Sequence, residues 1–291
     1  MILGIDLGTH GVKTSEEVSF LSKVSEYEQF NEDNKIIYNG KEIYVGEGEF
    51  STDWNKSRKE NTLPLLYTAI HRSTKDNINS VVLGLPIQQF KRNKEILISL
   101  IRENRFANVN GRSLVIENVD VAPEAASAYY NLNIENRFKI KNKQLIIVDI
   151  GGRTTDICVF QGEKIIDVKT IATGMLNIYQ EIINYINNKF TEEFRLEEAP
   201  DIIKDGLFLN GRLQDISFIQ GILKNYFNSI YKEIQLKFNV TKGYLFLTGG
   251  GSLTFRKAFN NRLENVLMSN DPIFDNAKGN KKRGEMLWIN H

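Results

Sequence analysis

The chain has 291 residues, 41% of them hydrophobic and 25% charged, which is enough apolar chain for two cores of ordinary domain size. Thirty-seven Lys and Arg against 36 Asp and Glu leave a formal net charge of +1, so the bulk composition lacks the basic excess of a chain that grips DNA directly. A single cysteine, Cys158, excludes an intramolecular disulfide and a thiolate cluster, and His10, His71 and His291 form no metal site of familiar spacing.

The first predicted element is a buried strand over residues 2–7, ending in Gly8-Thr9-His10-Gly11. This start lacks the basic residues and long apolar core of a signal peptide. No later stretch reaches the ~18 apolar residues that span a bilayer, so a cytoplasmic protein without membrane contact is expected. A second strand follows at Val12-Lys13-Thr14 and a third over 18–24. Residues 26–58 turn polar, with a hairpin signal at Asn39-Gly40, and read as a small insertion. A helix is predicted over 61–73, a central strand over 81–87, a helix over 93–103 and a strand over 113–121. At Ala122-Pro123-Glu124 a helix is expected to begin, with Pro123 in its first turn.

The opening theme then returns. Leu145-Ile146-Ile147-Val148-Asp149 reads as a buried strand closed by Ile150-Gly151-Gly152-Arg153-Thr154-Thr155-Asp156. Strands over 157–160 and 164–171 follow, with an amphipathic helix over 174–189. A shorter polar insertion is expected at 190–213, then a helix over 217–238. A strand over 244–247 leads to a loop, Thr248-Gly249-Gly250-Gly251-Ser252. Asp6 and Asp149 thus hold equivalent places in two strand–turn–strand units, the mark of a duplicated domain. Two such domains would face each other across a cleft, where ligands tend to bind.

The two turns share a chemistry. Glycines let backbone N–H groups close on an anion, and successive N–H groups in a turn form an anion-binding nest. Thr hydroxyls add donors and Lys13 a positive charge. Carboxylates repel phosphate, so Asp6 and Asp149 are assigned to a hydrated Mg²⁺, which takes one or two carboxylates plus waters and phosphate oxygens. Gly249, Gly250 and Gly251 would let a flat base or ribose lie against bare backbone. Asp156 is either a further polar group at the second turn or a residue that steadies its hairpin.

In order, these segments resemble the phosphate-1, phosphate-2 and adenosine motifs of the actin/Hsp70/sugar-kinase superfamily. Ala122-Pro123-Glu124-Ala125-Ala126-Ser127-Ala128 is similar to its connect-1 segment, and Asn276-Ala277-Lys278-Gly279 to connect-2. The closest likeness is to the bacterial actin-like ParM/StbA plasmid-segregation family and the cell-division actins. The resemblance implies an α/β fold of two duplicated actin-like (ribonuclease H-like) domains facing across a nucleotide cleft, each with a small inserted subdomain. Domain I would be residues 1–144 plus 277–291, and domain II 145–276. It further implies Mg²⁺-ATP, with GTP open, bound by Gly8, Thr9, His10, Gly11, Lys13, Gly151, Gly152, Arg153, Thr154, Gly249, Gly250 and Gly251. Asp201 and Lys204 would meet the ribose, Asp6 and Asp149 the metal, and Glu124 with Asp149 the hydrolytic chemistry. Its partners would be further copies in a filament and a ParR-like DNA-binding adaptor on a centromere-like DNA site, with no direct DNA contact. A membrane-associated actin for shape or division, or a small-molecule kinase on the same core, are the alternatives. No G-x-x-x-x-G-K-[ST] P-loop is present.

Overall fold

The computed structural model describes residues 1–27, 32–51, 53 and 60–289. In its first half, β1 (Ile2–Leu7), β2 (Gly11–Thr14) and β3 (Ser19–Leu21) form an antiparallel meander. On the far side of β1, β7 (Ile78–Leu85) and β9 (Arg112–Pro123) add in parallel. The second half repeats this strand for strand. There β10 (Gln144–Ile150), β11 (Thr155–Gln161) and β12 (Lys164–Ile171) form the meander, and β15 (Gly243–Thr248) and β16 (Val266–Met268) add in parallel beside β10. The orders β3-β2-β1-β7-β9 and β12-β11-β10-β15-β16 are therefore equivalent. The duplication extends to register, with Asp6 opposite Lys13 and Asp149 opposite Asp156.

The central strands are apolar because both faces are covered. From Leu145 to Ile150 every residue of β10 is buried. On one side lie α5 (Met175–Phe190), α7 (Phe218–Lys237) and α8 (Gly250–Asn260), whose Ile182, Ile230 and Phe259 share a core with Ile146 and Val148. On the other, Ile147 and Cys158 pack with Ala125, Ala128 and Leu132. Burial pushes the Cys158 thiol up to about 12, so it is an inert apolar group there. The first sheet has its own core, in which Leu3, Ile5 and Leu83 meet Leu66 and Ile70 of α1 (Thr62–Ser73) and Leu97 and Ile101 of α2 (Ile87–Glu103).

The expected insertion at 26–58 is hydrogen-bonded into the first sheet. The hairpin of β5 (Lys35–Tyr38) and β6 (Lys41–Phe50) turns at Asn39-Gly40, both at positive φ. Tyr38 pairs with Val109 of β8 (Phe106–Val109), which hairpins onto β9 through a second such turn, Asn110-Gly111. Ile36, Ile43 and Val45 enter the same core as Leu3. The rest of that segment (28–31, 52 and 54–59), and the final residues 290–291, lie outside the described residues. In the second half, 190–213 holds α6 (Ala199–Asp205) and a short hairpin of β13 (Phe208–Leu209) and β14 (Arg212–Leu213).

Three local expectations are corrected. The strand over 18–24 divides at Ser22, whose amide donates to the His10 carbonyl at 3.0 Å and turns the chain, so that β4 (Lys23–Ser25) joins β6 instead. The strand before α2 stops at Pro86, which has no N–H for the ladder, and the helix takes over from Ile87. The segment at Ala122-Pro123 is the end of β9, with its helix α3 (Ala126–Asn131) starting only after Ala125.

Near α4 (Ile134–Ile140) the chain crosses from one half to the other, and it returns through α9 (Asp275–Trp288). Helices α3 and α9 touch through bare backbone: a Cβ at Gly279 would stand 1.9 Å from the Ser127 carbonyl oxygen, and one at Gly4 of β1 1.9 Å from that of Ala277. The start of α9 is pinned by Asp275, fully buried, which accepts from Asn131 at 2.8 Å and Ser269 at 2.9 Å. Its basic residues are spent on the fold. Lys278 meets Glu17, Lys281 meets Glu16, and Arg283 joins Lys94 on Asp120. Replacing Gly279 by Val should therefore lower unfolding stability by about 3 kcal/mol, read as the urea midpoint; an unchanged midpoint would mean the helices are free to part.

Candidate active site

The two duplicated turns meet. β1 ends in the turn 8–10 and β10 in the turn 151–154, and a Cβ added at Gly152 would stand 2.9 Å from Cβ of His10. Between them is a narrow pocket of about 40 Å³ lined by Asp6, Gly8, Thr9, His10, Lys13, Glu124, Asp149, Gly151, Gly152, Arg153, Thr154, Asp156, Gly249, Gly250, Ile273 and Asn276. Most residues singled out in the sequence thus converge from four separate segments. Four do not line it: Gly11, Gly251, Asp201 and Lys204. A Cβ at Gly251 would press on Ile150 and Met175, so that glycine serves helix–sheet packing. Asp201 and Lys204 lie exposed on α6, with Lys204 3.8 Å from Asp205.

Each glycine in the pocket has a local reason. A Cβ at Gly8 would meet the Gly11 carbonyl oxygen at 2.6 Å. Gly249 has φ +78, and a Cβ there would lie 2.3 Å from Oδ1 of Asp149, so both backbone and space exclude a side chain. Gly250 opens α8, so the predicted glycine loop is the first turn of a helix. Nothing stands within 4 Å of where its Cβ would be, and the amides of a helix N-terminus there favour anions. At the second turn Gly151 N–H donates to Thr154, while the amides of Met175 and Leu176, which open α5, donate to the carbonyls of Gly151 and Gly152.

The acids are crowded. Asp6, Asp149 and Asp156 are all buried. Burial, then the charges of Asp6 and Asp156, push the Asp149 carboxyl from 3.8 up to about 7, against a hydrogen bond from Asn276 Nδ2 at 2.6 Å and the charge of Lys13. Asp156 accepts from Thr154 Oγ1 at 2.9 Å and from Thr170 Oγ1, so it both steadies the hairpin and faces the pocket. Glu124 is buried against Gly84, where a Cβ would lie 3.0 Å from its Cγ. Just beyond it, Ala125 has φ 61 and ψ −48 while Ala126 N–H donates to the Glu124 carbonyl at 2.7 Å. That is the rarer hand of γ-turn, a strained conformation costing on the order of 1–3 kcal/mol.

Above the turns the halves are tied again. Lys23 pairs with Glu197 and sits 4.8 Å over the Phe50 ring. His10 packs between Phe50 and Tyr179, and burial, then Lys13, brings its imidazole down to about 4, hence neutral near pH 7.

Among the described residues no group of three or more His, Cys, Asp or Glu side chains is arranged to hold a metal ion by itself. Asp6 and Asp149 with a raised proton affinity at Asp149 fit a cation that brings its own waters and phosphate oxygens, since neutralisation is what that pair lacks. Sequence reasoning missed Gly84, Ile273 and the role of Asn276. Asn276 itself lay within the Asn276-Ala277-Lys278-Gly279 segment already singled out, but nothing in that segment pointed to Asp149.

Comparison with known proteins agrees with this architecture. Residues 4–126 match the N-terminal domain of actin-like proteins, and residues 147–261 the C-terminal domain of the archaeal MreB-like actin homologue. The chain belongs to the actin-like ATPase superfamily. Within it the fold is that of the ParM-like members. A subunit of the 15-stranded ParM filament from Clostridium botulinum superposes with a TM-score of 0.82 at 21% identity, over 98% of this chain and 99% of that one. The archaeal actin homologue Ta0583 in complex with ADP gives 0.81 at 15% identity, over 98% and 99%. The Alp12 filament subunit gives 0.69 at 17%, over 99% and 98%. No curated protein sequence matches the chain.

Asp149 makes stability depend on pH. With its folded value near 7 and its ordinary one at 3.8, the folded chain holds the extra proton in that window. Stability should therefore fall as pH rises from about 4 to 7 and level off above, a loss on the order of 4 kcal/mol. In protein stripped of nucleotide and metal, Asp149→Asn should flatten this fall in thermal melts at about pH 5 and pH 8. Parallel curves for variant and parent would contradict it.

Proposed function

We propose that this chain is an actin-like ATPase. It binds Mg²⁺-ATP between its halves, polymerises head to tail while ATP is bound, and loses the polymer as ATP is hydrolysed. The observation that carries this reading is the meeting of two duplicated strand ends, each with a buried acid and an anion-binding turn, in one pocket. Asp6 and Asp149 would hold the hydrated metal, which supplies charge neutralisation at the phosphates. Lys13 and the amides of the turns 8–10 and 151–154 take the phosphate oxygens. Glu124 orients the attacking water, in a reaction that needs mainly positioning and charge stabilisation. Gly249 and Gly250 offer no side chain to read a base, so GTP is a second candidate nucleotide. Asp201 and Lys204 are kept as ribose contacts only for a nucleotide-bound form.

Domain I would comprise 1–144 with 277–291, and domain II 145–276. Filament growth takes a heterologous contact between copies. The filament would move plasmid or phage DNA in the cytoplasm through a separate ParR-like adaptor on a centromere-like site, a division of labour that suits the net charge of +1. The membrane-associated alternative is weakened by α9, whose Lys278, Lys281 and Arg283 are paired within the chain. Among the described residues no helix is long and apolar enough to cross a membrane.

Light scattering and sedimentation with and without Mg²⁺-ATP, alongside phosphate release, test this. Polymer should form with ATP and decay as phosphate appears. Glu124→Ala should leave assembly intact and slow phosphate release roughly a hundredfold, giving long-lived polymers. ATP turnover without polymer at any protein concentration would favour a small-molecule kinase or switch ATPase.

A further inference from the structure

Asn276, the second residue of α9, is 5% exposed and stands in the wall of the pocket. Its two amide atoms are treated very differently. Nδ2 donates to Oδ2 of Asp149 at 2.6 Å, whereas Oδ1 is buried and accepts no hydrogen bond. A buried acceptor left unpaired costs about 1–3 kcal/mol. A leucine would remove that cost. What a leucine could not do is donate to the carboxylate. The amide is therefore kept for Asp149, and a buried polar group retained at a cost is one that calls for a functional reason.

The geometry gives that reason. The Asp149 carboxylate is gripped on both sides: Asn276 holds Oδ2, while Oδ1 lies against the backbone of Gly249, where a Cβ would come within 2.3 Å. With both oxygens fixed, the plane of the carboxylate is set before any ligand arrives. The donor comes from α9, the helix that also packs on β1, so the orientation of the second half's acid is set by an element seated on the first half's acid-bearing strand. One turn further along the same face, Asn280 donates to the Ile5 carbonyl at 3.4 Å, next to Asp6. Asn280 has an equally buried, unpartnered Oδ1 but does not line the pocket, which makes it a control on the same helix.

We infer that Asn276 is a positioning residue for the divalent-cation site: it holds the Asp149 carboxylate in the one orientation that meets the hydrated Mg²⁺ accompanying the nucleotide. This rests on the Mg²⁺-nucleotide reading above. Groups that orient a metal-binding carboxylate without touching the metal change metal affinity by 10–100-fold when removed.

The test is the Mg²⁺ dependence of binding rather than turnover. A fluorescent ATP analogue is titrated into the full chain with EDTA and then across a Mg²⁺ series, for the parent, Asn276→Ser, Asn276→Leu and Asn280→Ala. Both Asn276 variants should need roughly ten times more Mg²⁺ for the same gain in nucleotide affinity, with affinity in EDTA unchanged within about twofold. Asn280→Ala should titrate with Mg²⁺ like the parent. On an Asp149→Ala background, Asn276→Ser should add less than about a twofold further change, because the two act as one unit. Thermal melts confirm folding, and Asn276→Ser reads the effect if the bulkier leucine disturbs the helix. A parent that binds the analogue while both Asn276 variants follow its Mg²⁺ curve overturns this inference alone. So does an Asn280→Ala curve shifted as far as theirs, which would mark a structural effect of α9. A parent that binds no nucleotide with Mg²⁺ overturns the nucleotide reading itself.

Discussion

The constraint on which the structure turns is the burial of like charge at the meeting point of its two halves. Strand β1 delivers Asp6 and strand β10 delivers Asp149, and the register of each hairpin decides what lies opposite: Lys13 in the first and Asp156 in the second. The first hairpin is thus locally balanced and the second is not. Burial first, then Asp6 across the pocket and Asp156 beside it, lift the Asp149 carboxyl to about 7. Repulsion between buried carboxylates is relieved by a proton or by a cation. On the function proposed above, a cation entering with the nucleotide would relieve this repulsion and so couple ligand entry to the stability of the fold.

That coupling has a mechanical counterpart. The halves are joined at the bottom by α3 and α9, packed so tightly that Gly279 and Gly4 can carry no side chain, and at the top by the Lys23–Glu197 pair over Phe50 and His10. The lower contact is backbone on backbone and resists sliding. The upper one is a largely buried ion pair with rings packed beside it, so removing either charge would strand the other away from water. Asp275, buried at the start of α9 and held up near 6 by burial against the hydrogen bonds from Asn131, Ser269 and Thr248, anchors the lower contact to the helix that also carries Asn276.

Much of this was legible in the chain. The two apolar runs ending in acid and glycine gave the duplicated strands and eleven of the residues that line the pocket, because a strand buried on both faces and a turn that admits backbone to an anion both restrict residue type severely. Elements whose limits depend on tertiary pairing were less legible. The break at Ser22 exists because its amide finds the His10 carbonyl, and β8 was missed although Asn110-Gly111 is the same signal as Asn39-Gly40, which was read correctly. Gly251 shows the limit of composition: three consecutive glycines look alike in sequence, yet one satisfies a positive φ, one opens onto the pocket and one packs on Ile150. Asn276 gave no signal of its role, since a hydrogen bond to a residue 127 positions away leaves no local pattern.

The reading of Pro123-Glu124 as a helix start was wrong in a way that bears on chemistry. A carboxylate in the first turn of a helix is stabilised by the free amides there and needs no further purpose. In the structure that explanation is gone: β9 runs through Pro123, and Glu124 is held between the strand and the strained turn at Ala125. Its amide donates to Leu85 at 2.8 Å and its carbonyl accepts from Ala126, so the backbone on both sides of the side chain is fixed. Gly84 then leaves the space into which the side chain folds. Keeping the turn holds the Glu124 carboxylate at the pocket wall, across from the turns, and the cost of the strain is borne by the otherwise well-packed alanine core around Ala125 and Ala128.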